Sequence, residues 1–162
     1  SDQHPPYALI SVRGSVTAED WLHDDARIMA TGRTRNIIGT DLRRAVDKYA
    51  DDGTVEIAGH SLGTALIAQA LDEDSQLEAK VDKIDFFNPA STPLTSSIVS
   101  DFGSDDKANF YMTMSDFVGW GTMVDTKPKN LVMLGPKLNP ADSHGLDQWI
   151  NNNRAETGQL DG

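Results

Sequence analysis

The sequence predicts an α/β fold: a mostly parallel sheet of about five strands in a three-layer arrangement with helices. Three observations carry that prediction. Short apolar runs alternate with longer amphipathic ones, the order that sets strands side by side and parallel. The first two strands are separated by more than forty residues, room for a helical crossover and far more than a hairpin needs. A β-branched run, Val55-Glu56-Ile57-Ala58, passes through Gly59-His60-Ser61-Leu62-Gly63 directly into an Ala/Leu-rich helical pattern.

Tyr7-Ala8-Leu9-Ile10-Ser11-Val12 reads as a buried strand, short and apolar, followed at once by Arg13-Gly14-Ser15. Thr17 can cap a helix running to Met29, with Asp20 three residues on. Trp21, Leu22, Ile28 and Met29 make one face of it, a stripe that suits core packing. A second helix is expected from about Arg35 to Ala50, ended by Asp51-Asp52-Gly53. The strand at Val55 should end at Ala58, with the next helix starting beside Ser61 and broken at Asp72-Glu73-Asp74-Ser75. Val81 to Phe87 alternates into a third strand, stopped by Asn88-Pro89. A short helix is expected within Pro93–Asp101, a fourth strand at Asn109–Met114 and a fifth at Asn130–Leu134. A last helix, Gly145–Asn153, completes the pattern, which contains no repeat or internal linker.

Length and charge bound the function. The 162 residues suit a single domain with a substantial core. With no cysteine there is no disulfide, thiol nucleophile or thiolate metal site. A net charge of −11 argues against nucleic acid and against docking on anionic lipid. No apolar run approaches the roughly 18 residues of a spanning helix, and the start does not resemble a signal peptide. A chain that begins Ser1-Asp2 reads as a processed product or a fragment.

The chemistry concentrates at Gly59-His60-Ser61-Leu62-Gly63, a G-x-S-x-G nucleophile elbow. A serine on a sharp strand-to-helix turn projects its hydroxyl above the sheet edge. Glycines two residues to either side let strand and helix approach without a Cβ between them. The helix that follows points its first amides at the place where an oxyanion would form.

A serine nucleophile needs a base, and the base an orienting acid. Of the four histidines, His4 lies in a Pro-rich start, His23 on a charged helix, and His60 beside the nucleophile but directed away from it. His144 stands in a late loop before the final helix, where a Ser…Asp…His chain order puts the base. Asp85 sits inside a strand, whereas Asp116 follows the C-terminal end of one, where ligand chemistry gathers in open parallel sheets. Asp116 is the preferred acid, with Asp125 and Asp142 as alternatives. The loop Phe117-Val118-Gly119-Trp120-Gly121 either packs the strand end or walls an acyl chain.

Taken together, Arg13-Gly14-Ser15, Trp21-Leu22-His23-Asp24 and Gly59-His60-Ser61-Leu62-Gly63 resemble the class 3 lipases. That family carries R-G-[ST], a D-W-x-x-D-like segment and G-H-S-L-G-G. The resemblance spans about Ile10 to Ile150 and implies an α/β-hydrolase-like fold and a Ser61–Asp116–His144 triad. It also implies an oxyanion hole from Ser15 and the Leu62 amide, and pairing of Arg13 with Asp24 to fix the segment that becomes a lid. Phe87-Asn88-Pro89 matches the family's apolar strand ending in proline, and Ser115-Asp116-Phe117-Val118 its D-x-V acid. Two departures stand out. Thr64 replaces the second Gly of G-G, and the elements usually preceding the R-G-[ST] strand are missing, as in a minimal or N-terminally truncated version.

The reading is therefore a serine hydrolase that cleaves lipid, acylglycerol or small carboxylic esters without metal or cofactor. Trp21, Phe117, Val118 and Trp120 would line the acyl groove and form a surface able to meet neutral lipid. The alternative is a non-catalytic hydrolase-fold domain of a larger assembly.

Overall fold

A computed structural model describes residues 6–13, 38–51, 53–90, 107–113 and 130–134. The expected helices at Thr17–Met29, Pro93–Asp101 and Gly145–Asn153 lie outside these residues. Within them the order is strand β1 (Tyr7–Val12), helix α1 (Gly39–Tyr49), strand β2 (Thr54–Ser61), helix α2 (Leu62–Glu73), helix α3 (Ser75–Lys80), and strands β3 (Lys83–Pro89), β4 (Ala108–Thr113) and β5 (Leu131–Leu134).

The described strands form one sheet in the order β1-β2-β3-β4-β5, and every neighbouring pair is parallel. Right-handed crossovers from β1 to β2 and from β2 to β3 would place α1, α2 and α3 on one face. The packing agrees: α2 lies on β1, β2 and β3 and against both α1 and α3.

Period-two alternation decides which side chains meet the helices. Val55 and Ile57 of β2, Ile84 and Phe86 of β3, and Ala108 and Phe110 of β4 turn inward onto Ile67, Ala68 and Leu71 of α2. Leu42 and Val46 of α1 and Leu77 of α3 close the same core. Phe86 and Phe110 meet edge to face with centroids 5.7 Å apart, a geometry favoured by the ring quadrupoles. Nine of the twelve residues of α2 are buried, so this helix is enclosed nearly all round.

Three expectations are corrected by the structure. The first strand is not buried: it is an edge of the described sheet, with Tyr7 and Leu9 exposed and Ile10 and Val12 packed on the core. Its short apolar run matched a buried strand, but only alternate residues meet α2. Helix α1 begins at Gly39, four residues later than expected, with Ile38 at the N-cap position and its carbonyl accepting the first helical bond from the Leu42 amide at 2.7 Å. Strand β2 runs on through Gly59 and His60 to Ser61, since pairing with β3 continues to Pro89 across a register shift.

The acidic run after α2 is a joint between two helices. The Asp74 carboxylate accepts from the Gln76 and Leu77 amides at 3.1 and 3.0 Å and so starts α3. Arg43 of α1 holds the joint from outside, donating to Asp74 at 2.6 Å and to Gln76 at 3.0 Å. Among the described residues no helix is long and apolar enough to cross a membrane.

Candidate active site

Ser61 ends β2 and stands at the N-cap position of α2, and its backbone is the most unusual feature of the junction. At φ 54° and ψ −125° it lies in a region that L-residues rarely adopt. Such a conformation costs on the order of 1–3 kcal/mol and persists only where the surroundings over-determine it. Those surroundings come from the flanking residues.

A Cβ on Gly59 would come within 2.7 Å of Ile67 Cδ1 and 3.3 Å of the Thr64 backbone, so the glycine lets the strand end lie against the helix. A Cβ on Gly63 would strike the Val12 carbonyl oxygen and come within 3.0 Å of the Arg13 carbonyl carbon. This second glycine brings the start of α2 onto the end of β1. Each glycine of G-x-S-x-G therefore faces a different neighbour, and together they set the turn.

The Ser61 carbonyl is held from two directions. Thr64 Oγ1 donates to it at 2.6 Å, and the Ala90 amide donates to it at 3.2 Å. The same Ala90 N–H also lies 3.0 Å from Thr64 Oγ1, so the threonine hydroxyl accepts from β3's exit while donating to the elbow. Thr64 is fully buried. The end of β3 carries a second residue at positive φ, Asn88 at 41°, whose Oδ1 accepts the Thr113 amide at 2.9 Å. Asparagine tolerates that backbone, and here its side chain ties the ends of β3 and β4 together.

Of the residues expected to form the site, the structure describes Ser61 and Leu62. Ser61 is the buried N-cap just described, and Leu62 is the first residue of α2, packed with Ala65 and Ala90. The first turn of a helix has N–H groups with no intrahelical partner, which is the property an oxyanion donor requires. Asp116, His144, Ser15, Trp21, Phe117, Val118 and Trp120 lie outside the described residues, as do the alternatives Asp125 and Asp142 and Asp24, the partner expected for Arg13.

Asp85 is placed where the sequence put it, inside β3 and paired with Ala58 and Asn109, away from the strand ends. It belongs to a polar cluster on the face opposite α1, α2 and α3. Lys83 Nζ lies 3.1 Å from Asp85 Oδ2 and 3.3 Å from Glu56 Oε1, Asn109 Nδ2 donates to Asp85 Oδ1 at 2.8 Å, and the Tyr7 hydroxyl donates to Glu56. Phe87 and Tyr111 stack beside it at 4.6 Å.

The two carboxyls are pushed apart in acidity. Sharing a hydrogen bond with Asp85, and then burial, hold Glu56 above the usual carboxylate range. Burial acts to raise Asp85, but hydrogen bonds from Glu56, Asn109 and Lys83 together outweigh it and hold Asp85 below that range. Lys83 keeps its proton more firmly: burial opposes the charge, and the two carboxylates overcome it. No group of three or more potential metal ligands is found among the described residues.

Sequence reading missed the Thr64 hydroxyl, the Ala90 amide and the Asn88 turn. The signal for the first was present, a β-branched hydroxyl where the resembling family has glycine. Nothing in the sequence signalled the pairing with Ala90, twenty-six residues away.

The fold has counterparts among solved structures. A predicted CIB-like hydrolase from Thermoplasma acidophilum is 14% identical, with a TM-score of 0.52 over 94% of this chain and 86% of that one. A thermophilic carboxylesterase cloned from a metagenomic library is also 14% identical, with a TM-score of 0.48 over 94% of this chain and 76% of that one. The chain thus has the α/β-hydrolase type of fold, a mostly parallel sheet with crossover helices and a strand–serine–helix turn. No protein-family model matches the chain, and no curated protein matches it.

Proposed function

We propose that the chain is a carboxylic-ester hydrolase of the lipase or esterase type, working through an acyl-enzyme on Ser61. The observation that supports it most is the Ser61 backbone at φ 54° and ψ −125°, on a strand-to-helix turn that two glycines make passable. A purely structural serine has no need of a conformation this costly.

In the proposed cycle His144 takes the Ser61 proton as Oγ attacks the ester carbonyl carbon, and Asp116 holds the imidazole in the required tautomer. The Leu62 amide and Ser15 receive the oxyanion, a contribution on the order of 3 kcal/mol per donor. The alkoxy C–O bond then breaks, His144 passes its proton to the departing alcohol, and water releases the acyl group by the same route.

For substrate, the proposal follows the class 3 lipase resemblance: neutral acylglycerols or simple esters, with Trp21, Phe117, Val118 and Trp120 against the acyl chain. The net charge of −11 favours neutral over anionic lipid at any interface.

Labelling by a biotinylated fluorophosphonate tests the reading without requiring the natural substrate. The wild-type chain should label and Ser61→Ala should not. Ser61→Ala, His144→Ala and Asp116→Asn should each remove most p-nitrophenyl ester turnover, with effects that do not add. Absence of labelling in a folded wild-type protein would leave the non-catalytic alternative. A kcat/KM profile that peaks at acetate and falls with each added carbon would make the protein a small-ester hydrolase.

A further inference from the structure

The geometry points to Thr64 as a positioning residue that aims the Leu62 amide at the oxyanion, an inference that rests on Ser61 being the nucleophile. The Ser61 carbonyl and the Leu62 N–H belong to one peptide unit. That unit is planar and trans, so its C=O and N–H point in opposite directions. Whatever fixes the carbonyl therefore fixes the amide.

Two donors fix it. Thr64 Oγ1 at 2.6 Å and the Ala90 N–H at 3.2 Å converge on the Ser61 oxygen, and a 3.0 Å contact between Ala90 N and Thr64 Oγ1 closes the triangle. A hydroxyl that donates and accepts at once has its rotor settled by both partners. Rotating the Ser61–Leu62 peptide would break both bonds to the oxygen inside a fully buried setting, where Thr64 is 0% exposed. The clip thus opposes rotation at the point where the backbone is most strained.

An ordinary explanation has to be set against this. Threonine in a helix commonly donates back to the carbonyl three or four residues earlier, and such a bond alone would mean little. Here the carbonyl belongs to a strained N-cap residue rather than to a helical one. The hydroxyl also accepts from Ala90, outside the helix at the exit of β3. Glycine at this position, as in the resembling family, would have no such hydroxyl, so in this chain Thr64 supplies a hold of its own.

An amide that matters only when the carbonyl oxygen becomes an oxyanion acts on the transition state and not on substrate binding. The test compares wild type with Thr64→Val, Thr64→Ala and Thr64→Ser. Its readouts are the rate of fluorophosphonate labelling, kcat and KM for a p-nitrophenyl ester, and the thermal midpoint. Thr64→Val keeps the shape but removes the donor and the acceptor, and labelling and kcat should fall about tenfold with KM unchanged. Thr64→Ala should follow it, and Thr64→Ser, which restores the hydroxyl, should stay within about twofold of wild type.

Wild-type labelling and kcat in folded Thr64→Val would overturn the assignment while leaving Ser61 as nucleophile. So would equal losses in Thr64→Val and Thr64→Ser, or failure of both Val and Ala variants to fold, which would make the hydroxyl a folding element. A wild-type protein that does not label would bring down the nucleophile and this assignment together.

Discussion

The carbonyl oxygen of Val12 occupies the space that a side chain on Gly63 would need. The last residue of β1 and the first turn of α2 are in contact because position 63 has no Cβ, and the neighbouring atoms are backbone that cannot turn aside. Gly63→Ala should therefore push the end of β1 away from the elbow. The flanking Arg13-Gly14-Ser15 would move with it, and ester turnover should be lost with much of the stability. Gly59→Ala should be milder, since its closest neighbour is Ile67 Cδ1, the far end of a side chain that can change rotamer. Urea midpoints and kcat/KM for the two variants check the ranking. A Gly59→Ala protein worse than Gly63→Ala would contradict it.

The same comparison shows what could be read from the sequence. All five strands were legible because short apolar runs between turn signals suffice to mark them, and β1 is found at Tyr7–Val12 as expected. Exposure was harder: Leu9 looks as apolar as Ile10, and only the position of α2 decides which one is covered. Helix α3 was missed because Asp72-Glu73-Asp74-Ser75 reads as a break, yet Asp74 ends one helix and caps the next. At the elbow the glycine spacing was readable. The Thr64–Ala90 clip was not, because it depends on where β3 leaves the sheet.

The Glu56–Asp85 pair predicts a pH-dependent stability of defined sign. Glu56 titrates above its ordinary value of about 4.3, so between that value and the folded one the folded protein retains a proton that the unfolded chain has released. Stability from this group falls as pH rises through the window. Glu56→Gln removes that dependence, and its urea midpoint should improve relative to wild type as pH increases above about 4. Asp85 runs the other way. Its folded value is depressed, so Asp85→Asn should destabilise most above about pH 4 and progressively less in acid. A pH-independent gap for both variants would mean that the shared hydrogen bond, burial, Lys83 and Asn109 do not separate the two carboxyls.

Asp74 should matter more than its surface position suggests. Its carboxylate accepts from the Leu77 and Gln76 amides and pairs with Arg43, and those bonds hold it below the usual carboxylate range, the Leu77 amide most of all. Asp74→Ala should lower the thermal midpoint at neutral pH. The difference from wild type should shrink as pH falls through the folded value, since the stabilisation is lost when the carboxylate is protonated. Asp41→Ala provides the control. Its pairing with Arg44 spans 3.4 Å between side chains 77% and 78% exposed, and such pairs contribute little. Equal losses in the two variants would show that the cap at α3 adds nothing.

Thr64 and Thr113 are both fully buried threonines near the Ser61 end of the sheet, yet substitution by valine should cost stability at the first and not at the second. The Thr64 hydroxyl has two partners. Among the described residues, the Thr113 hydroxyl is the buried side-chain group with no hydrogen-bond partner. Its amide is satisfied by Asn88, and valine leaves that bond in place. A buried hydroxyl without a partner gives up its hydration for nothing in return. Thr113→Val should therefore be neutral or stabilising, by up to about 1 kcal/mol, whereas Thr64→Val should cost about 1–3 kcal/mol by leaving buried partners unpaired. Urea unfolding of both variants at the same pH decides it. A Thr113→Val protein destabilised as much as Thr64→Val would mean that the Thr113 hydroxyl has a partner after all.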